Sequence, residues 1–238
     1  MSYRRTVTTV ICVMLAAVML TLGCSSPAEP QITSPADQQN AKGWSFMELK
    51  QWDEAIVAYS KAIELDPTKA LSYGLRGKAY YEKGDYDKAI ADFTKAIAID
   101  PKYADAYYWR GDAYDKKGDY DKEIADYTKT IEIDPNLETV YVSRGITYNF
   151  IKRDYDKAIA DFTKVIAIDP TNSSVYSLRA LAYTQKGDYD NVIADFTKAI
   201  AIDPQADFYL LRGDAYDKKG EKDKAEADFT KAKELGNK

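Results

Sequence analysis

The amino-acid sequence predicts an all-α fold, a solenoid of six helix-turn-helix repeats with about twelve antiparallel helices. Three segments are near copies of one another: KGDYDKAIADFTKAIAIDP, ending at Pro101, KGDYDKEIADYTKTIEIDP, ending at Pro135, and KGDYDNVIADFTKAIAIDP, ending at Pro204. An arginine recurs with spacings of 34, 34, 35 and 33 residues, at Arg76, Arg110, Arg144, Arg179 and Arg212. A period of this length is typical of solenoids, in which each repeat buries its apolar face against its neighbours.

The residue spacing within the second repeat predicts two helices. Tyr73, Gly77 and Tyr80 are four and three residues apart and therefore share one helix face, where the glycine lets a partner helix approach closely. Gly84 ends this first helix, and Asp85 is placed to cap the next one. The second helix carries apolar residues at helical spacing, at Tyr86, Ala89, Ile90, Phe93, Ala96 and Ile97.

This pattern resembles the tetratricopeptide repeat, whose signature the second repeat matches at Tyr73, Gly77, Tyr80, Ala89, Phe93, Ala96 and Pro101. The resemblance covers residues 36–238 and divides them approximately into 36–69, 70–103, 104–137, 138–172, 173–205 and 206–238. It implies a right-handed superhelix. It also implies a concave surface that is lined by the first helix of each repeat and binds an extended or helical peptide.

Two repeats depart from the pattern. The fourth repeat is one residue longer, and its extra residue falls in the segment 149–153, which also lacks the turn glycine. We therefore expect a distorted hairpin there. In the sixth repeat, Lys222, Glu226 and Lys233 replace the apolar residues of the last helix. Since a solenoid needs a polar cap for solubility, we expect the array to end at this helix.

Residues 1–23 are predicted to be a signal peptide, because Arg4 and Arg5 precede an apolar run that ends at Gly23. The end of this run, LTLGC, resembles the lipobox of bacterial lipoproteins. The resemblance implies cleavage before Cys24 and its modification with fatty acyl chains such as palmitate, so that the protein is attached to a membrane. An uncleaved anchor helix is the alternative, since the apolar run nearly reaches the ~20 residues needed to span a bilayer.

Residues 24–35 are interpreted as a flexible linker, because Pro27, Pro30 and Pro35 disfavour regular structure. A lipid anchor predicts a location in the bacterial cell envelope. Ser25, which follows the modified cysteine, implies the periplasmic face of the outer membrane in a double-membraned bacterium. In other bacteria the anchor implies the outer face of the cytoplasmic membrane.

The candidate partner-binding groove follows from the first helices, by advancing one residue from their buried face. Its predicted lining includes Lys78, Tyr81, Tyr108, Asp112, Val142, Ile146, Leu181 and Asp214. The middle of this set is apolar and its C-terminal end is acidic, which predicts a partner segment with apolar anchors and some basic character. The alternative is that the repeats bury these residues against one another or against a second copy. The chain would then be a structural spacer or a homo-oligomer.

The repeated charged residues have two interpretations each. The five arginines could form an anion-binding strip, but ion pairs with the aspartates of the D-P turns and D-Y-D caps are favoured. The acids of two identical GDAYDKKG strings, Asp112/Asp115 and Asp214/Asp217, could hold a cation, but a solvated helix face is favoured. These acids would also repel the terminal carboxylate that chaperone-tail-binding members of the family clamp, so we do not expect that ligand.

The composition excludes several classes of function. The chain has no His and only two Cys, which removes histidine-based acid-base catalysis, His/Cys zinc sites and a disulfide framework. No glycine-rich phosphate loop and no nucleophile paired with a base is visible, so we expect no catalytic residue, metal or cofactor. Both signs of charge are scattered along the chain, whereas nucleic-acid binding would favour a basic stripe. The sequence thus predicts a non-enzymatic, membrane-anchored scaffold for protein–protein interactions.

Overall fold

The computed structural model describes residues 34–236, so the predicted signal peptide and Cys24 lie outside the described residues. Its helices are α1 (Pro35–Glu48), α2 (Trp52–Leu65), α3 (Ala70–Lys83), α4 (Tyr86–Ile99), α5 (Ala104–Lys117), α6 (Tyr120–Ile133), α7 (Glu138–Ile146), a π-helix (Thr147–Lys152), α8 (Tyr155–Ile168), α9 (Ser173–Lys186), α10 (Tyr189–Ile202), α11 (Ala206–Lys218) and α12 (Lys222–Gly236). No strand occurs in residues 34–236, and the predicted all-α fold is confirmed.

The chain divides into two compact units, an N-terminal unit that ends at Val140 and a C-terminal unit that begins at Tyr141. In the N-terminal unit, α1 pairs with α2, α3 with α4 and α5 with α6, while α2 contacts α3 and α4 contacts α5. In the C-terminal unit, α9 pairs with α10 and α11 with α12, while α8 contacts α9 and α10 contacts α11. Each unit is therefore a stack of hairpins held by nearest-neighbour contacts, as a solenoid requires.

The hairpin of α3 and α4 shows how the sequence makes the turn. Gly84 adopts the left-handed conformation with φ 86°, and its N–H donates to the carbonyl of Tyr81, while the N–H of Asp85 donates to Tyr80. This arrangement is a common glycine cap for a helix C-terminus. The Asp85 carboxylate then accepts from the N–H of Lys88, so the predicted cap of the second helix is confirmed.

Close packing of the two helices depends on a glycine that faces an aromatic ring. A Cβ atom on Gly77 would lie 2.8 Å from the Phe93 ring, a distance that real Cβ atoms do not reach. Phe93 is 1% exposed, and Ala89 and Ala96, one turn away on either side, are fully buried. Burying such a phenylalanine contributes roughly 2–3 kcal/mol. The predicted close approach at Gly77 is confirmed.

The structure begins its first helix one residue inside the predicted linker. Pro35 is the first residue of α1, and the hydroxyl of Ser34 accepts a hydrogen bond from the N–H of Asp37. Proline fits the first position of a helix because its missing N–H has no intrahelical partner there. The sequence prediction treated Pro35 only as a residue that disfavours regular structure, which is wrong for this position.

The fourth repeat accommodates its extra residue in the π-helix. There, Arg153 adopts the left-handed conformation with φ 55°, at the place where Gly84 lies in the second repeat, and the N–H of Asp154 donates to Tyr148 at 2.9 Å. A non-glycine residue in this conformation costs about 1 kcal/mol. The predicted distortion of this hairpin is therefore confirmed.

The last helix has a polar outer face. Lys222, Glu226 and Lys233 are all exposed, whereas the inner face of α12 buries Ala225 and Asp228. The corresponding positions in α4 are Tyr86, Ile90 and Ile97, which are partly buried. The expected change of character between the second and the sixth repeat is confirmed.

Candidate partner-binding site

The five repeated arginines form ion pairs inside the repeats. Arg76 donates from Nε and Nη2 to the two carboxylate oxygens of Asp92, at 2.7 and 2.8 Å, and from Nη1 to the Ser60 hydroxyl of the preceding hairpin at 3.0 Å. The same bidentate pair recurs as Arg110–Asp126, Arg144–Asp161, Arg179–Asp195 and Arg212–Asp228.

These arginines are structural, as the favoured interpretation stated, but the predicted partners were wrong. The acids belong to the A-D-F/Y-T segment of the second helix and not to the D-P turns or the D-Y-D caps. The second aspartates of three D-Y-D caps form other pairs between neighbouring repeats, with Lys117 bonded to Asp87, Lys186 to Asp156 and Lys219 to Asp190. Each guanidinium group donates two hydrogen bonds to a buried carboxylate. The five arginines therefore form no anion-binding strip.

The predicted groove residues differ in how much surface they present. Lys78, Tyr81, Asp112, Ile146 and Asp214 are partly exposed. The remaining three are buried, with exposed fractions of 8% for Tyr108, 0% for Val142 and 5% for Leu181. The predicted apolar middle is therefore largely internal, and Val142 and Leu181 offer no surface to a partner in this structure.

The burial of Leu181 has a clear physical reason. Helix α9 buries residues on most of its circumference: Val175, Tyr176, Ser177, Leu178, Ala180, Leu181 and Ala182. A step of one residue from the face that meets α10 rotates a side chain by only about 100° around the axis. In a first helix packed on both sides, that rotation does not reach solvent.

An aromatic row in the N-terminal unit joins side chains of the first helices α3 and α5 to side chains of the second helices α4 and α6. It consists of Tyr86, Tyr81, Trp109, Tyr108 and Tyr127. The ring centroids of Tyr81 lie 5.5 Å from Tyr86 and 5.4 Å from Trp109, both edge-on. Tyr108 is edge-on to Trp109 at 5.2 Å and stacks on Tyr127 at 5.9 Å. Such pairs contribute about 0.5–1.5 kcal/mol each beyond the area they bury, so the row holds α3 and α5 together.

Asp112 lies beside this row and is held by tyrosine hydroxyls. The Tyr127 hydroxyl donates to Oδ1 of Asp112 at 2.5 Å, and the hydroxyl of Tyr108 also hydrogen-bonds to this carboxylate. Burial raises the pKa of Asp112 to about 6, although the hydrogen bond from Tyr127 and the charge of Lys116 act in the opposite direction. The favoured interpretation of Asp112 as part of a solvated face is wrong.

The neighbours of Asp112 are already paired. Asp115 forms an ion pair with Lys116 at 3.1 Å. The ammonium of Lys78 lies 4.5 Å from the centroid of the Trp109 ring, a cation–π distance. Asp112 itself forms no ion pair with any residue in the range 34–236.

The second GDAYDKKG string has different surroundings. Phe229, which packs against Gly213, occupies the position of Tyr127 and has no hydroxyl, and Asp217 bonds to Lys222 at 2.5 Å. Across the described helices, no group of three or more Cys, Asp and Glu residues is arranged to hold a metal ion. None of these helices is both long and apolar enough to cross a bilayer.

Sequence reasoning missed Trp109 and Tyr127. The repeat pattern contained a signal for Tyr127, since its position is Phe93 in the second repeat and Phe162 in the fourth, and the added hydroxyl needs an acceptor when buried. Trp109 replaces Leu75 of the second repeat. Its role depends on the packing of α3 beside α5, which a single repeat does not reveal.

The fold and its first-helix face define the chain as an α-solenoid of helical hairpins. Family models described as TPR repeat match residues 43–84 and 77–118, and models described as tetratricopeptide repeat match 104–137, 139–172, 173–205 and 206–235. The chain belongs to the tetratricopeptide repeat family. No curated protein matches it.

Solved structures of this fold are similar. The MamA protein is 28% identical, with 70% of this chain and 91% of that chain covered and a TM-score of 0.65. YrrB, described as a TPR protein with an unusual peptide-binding site, is 22% identical, with coverages of 71% and 87% and a TM-score of 0.62. The C-terminal part of a TPR repeat-containing protein from Cytophaga hutchinsonii is 21% identical, with coverages of 82% and 78% and a TM-score of 0.72. The last two show the fold alone.

Proposed function

We propose that this protein is a non-enzymatic scaffold that binds a segment of a partner protein on the first helices of its repeats. The observation that carries the proposal is the aromatic row with Asp112 on the N-terminal unit. Tyr81, Trp109 and Asp112 are partly exposed there, which combines apolar contact area with a charge. Tyrosine and tryptophan are enriched among the few residues that carry most of the binding energy at protein interfaces.

The proposal places the scaffold at the bacterial cell envelope, held by acyl chains on Cys24. Its support is the sequence of residues 1–24, with two arginines, an apolar run and the lipobox-like LTLGC. Since one acyl chain binds a membrane only marginally, two or three are needed for stable attachment. The position of Ser25 favours the periplasmic face of the outer membrane if the bacterium has one.

Affinity capture of the full chain from its native envelope tests partner binding. We expect a Tyr81→Ala/Ile146→Asp variant to lose the partner that the wild type retains, because both side chains are partly exposed on first helices. Val142 and Leu181 are left unchanged, since substitution inside the core would unfold the chain. A Lys95→Ala/Lys164→Ala variant, altered on exposed second-helix positions, is the matched control. Equal capture by all three proteins, each shown by circular dichroism to be folded, would refute partner binding on the first helices.

Attachment is tested separately. A Cys24→Ser variant should move from the membrane fraction to the soluble fraction, and only the wild type should incorporate a labelled fatty acid. Incorporation that persists in the variant would contradict lipidation at this cysteine. A wild-type chain that stays in the membrane without label would instead support the uncleaved anchor helix.

A self-associating spacer is the second candidate function. Leu49 and Val57 of the first hairpin are each 69% exposed, and Val57 lies at the rim of a depression of about 500 Å³ beside Phe46. Exposed apolar side chains at the end of a hairpin stack favour association. Analytical ultracentrifugation should then give a dimer or larger species that Val57→Glu dissociates. A monomer at all concentrations would exclude the spacer.

A further inference from the structure

The carboxylate of Asp112 is built into the first-helix face with unused acceptor capacity. A carboxylate has about four acceptor sites, and the hydroxyls of Tyr127 and Tyr108 use two of them. The buried aspartates of the second helices differ, because an arginine fills their remaining sites, as Arg110 does for Asp126. Asp112 therefore resembles one half of a bidentate ion pair whose cation is absent from the described chain.

The surroundings of Asp112 suit a flat cation. Tyr81 is half-buried, and burial together with the charge of Asp112 raises the pKa of its phenol far above its usual range, so the ring stays neutral. Trp109 stands edge-on to Tyr81, and one cation already lies on it in the form of the Lys78 ammonium. A guanidinium can stack on an aromatic ring and at the same time donate two parallel hydrogen bonds to a carboxylate, which an ammonium cannot do.

We infer that Asp112 and Tyr81 form a subsite for an arginine side chain of the partner segment, with Trp109 as its wall. The guanidinium donates to the two remaining acceptor sites of Asp112 and packs against the Tyr81 ring. Asp115 lies one helical turn further along α5 and adds negative charge at the rim, where Lys116 partly neutralises it. This subsite rests on the proposed function, because it names the chemistry that the same surface recognises.

The chain contains its own control for this inference. Asp214 lies in the same GDAYDKKG string, but its surroundings contain Phe229 in place of Tyr127, and Leu211 in place of Trp109. If any aspartate of this string attracted basic segments, both positions would behave alike. If the subsite depends on the aromatic row, only Asp112 will contribute to the binding of a basic segment.

The test uses the full chain in detergent micelles, labelled with fluorotryptophan. The protein has three tryptophans, so fluorine NMR gives three resonances, and a Trp109→Phe variant assigns the one of interest. The probe is an acetylated peptide with one central arginine flanked by leucines. Its counterpart carries citrulline, which has nearly the same shape without the charge.

We expect the arginine peptide to shift the Trp109 resonance and to bind about tenfold more tightly than the citrulline peptide. Asp112→Asn should remove most of that difference, while Asp214→Asn should leave it within about twofold. Equal affinity for the two peptides, equal effects of the two substitutions, or no shift up to about 10 mM peptide would each overturn the subsite. A partner captured from the envelope by an Asp112→Asn variant as well as by wild type would leave the scaffold function standing and remove the subsite from it.

Discussion

The third and the sixth repeats contain the same eight residues, GDAYDKKG, and place them in different surroundings. In the third repeat, Asp112 accepts from Tyr127 and lies beside Trp109. In the sixth repeat, the corresponding ring is Phe229, and the following helix begins with the exposed Lys222. A motif that is identical in sequence thus lies on a partly buried aromatic surface in one repeat and beside an exposed, polar helix in the other. The neighbouring helix, and not the string itself, decides which.

The first prediction concerns the buried ion pairs of these two repeats. Asp126→Ala should lower the free energy of unfolding by about 3 kcal/mol, because it leaves Arg110 charged and largely buried. Asp228→Ala removes an equally buried partner of Arg212, but in the last hairpin, which can open without the rest of the stack. Urea unfolding followed by circular dichroism should therefore show a smaller loss for Asp228→Ala. Equal losses would mean that the hairpins unfold as one cooperative block.

The second prediction makes the third repeat resemble the sixth. Tyr127→Phe should lower the free energy of unfolding by about 1 kcal/mol, since it removes the hydroxyl that Asp112 accepts. Tyr59 occupies the same position in the first repeat, where Trp44 replaces Asp112, and its buried hydroxyl has no hydrogen-bond partner in residues 34–236. Tyr59→Phe should therefore be neutral or stabilising by up to about 1 kcal/mol. Thermal unfolding of both variants checks this difference. A similar loss of stability in Tyr127→Phe and Tyr59→Phe would contradict it.

The repeat period made most of the fold predictable. The spacing of Gly77 and Phe93, the turn at Gly84 and the cap at Asp85 are local features, and most of the other repeats contain equivalent residues. Even the distortion near Arg153 could be predicted, because one extra residue and a missing glycine must be absorbed within a single turn. Local regularity of this kind is what propensity and spacing describe best.

The site was less predictable, for reasons that lie between repeats. Several aspartates follow each arginine at fixed offsets, so periodicity alone cannot choose among them, and the packed helices select Asp92 for Arg76. Likewise, the sequence could not show that neighbouring helices bury Leu181 of α9. It also could not show that the rings of Tyr81 and Trp109, which belong to neighbouring hairpins, are in contact. Contacts between repeats depend on how the hairpins stack, which the sequence of one repeat does not contain.

The third prediction uses the acid-base behaviour of Asp112. Burial raises its pKa from 3.8 to about 6, so the folded chain binds this proton more tightly than the unfolded chain does. This contribution to stability is fully present below pH 3.8 and is lost as the pH rises from there through about 6. Other groups also face this carboxylate, namely Tyr127 from α6, Tyr81 from α3, and Tyr108, Asp115 and Lys116 from α5.

The measurement is the difference between Asp112→Asn and wild type at pH 7 and pH 4.5. Relative to the variant, wild type should gain about 1 kcal/mol of stability at the lower pH, less than the full shift implies because the group is partly exposed. The Asp214→Asn variant reports whether the third and the sixth repeats differ in this respect. A pH dependence that Asp112→Asn leaves unchanged would mean that this carboxyl titrates like an exposed one.

The smallest expected effect concerns ion pairs that the two repeats share. Lys117 bonds to Asp87 of the second repeat, and Lys219 bonds to Asp190 of the fifth, but both aspartates are 81% exposed. The attraction between exposed charges is largely offset by the loss of side-chain freedom and by salt. Lys117→Met and Lys219→Met should therefore melt within about 1 °C of wild type, at low and at high salt alike. If either variant melted several degrees lower, the pairs between repeats would stabilise the stack as strongly as the buried arginine pairs, and exposure would not be what separates the two sets.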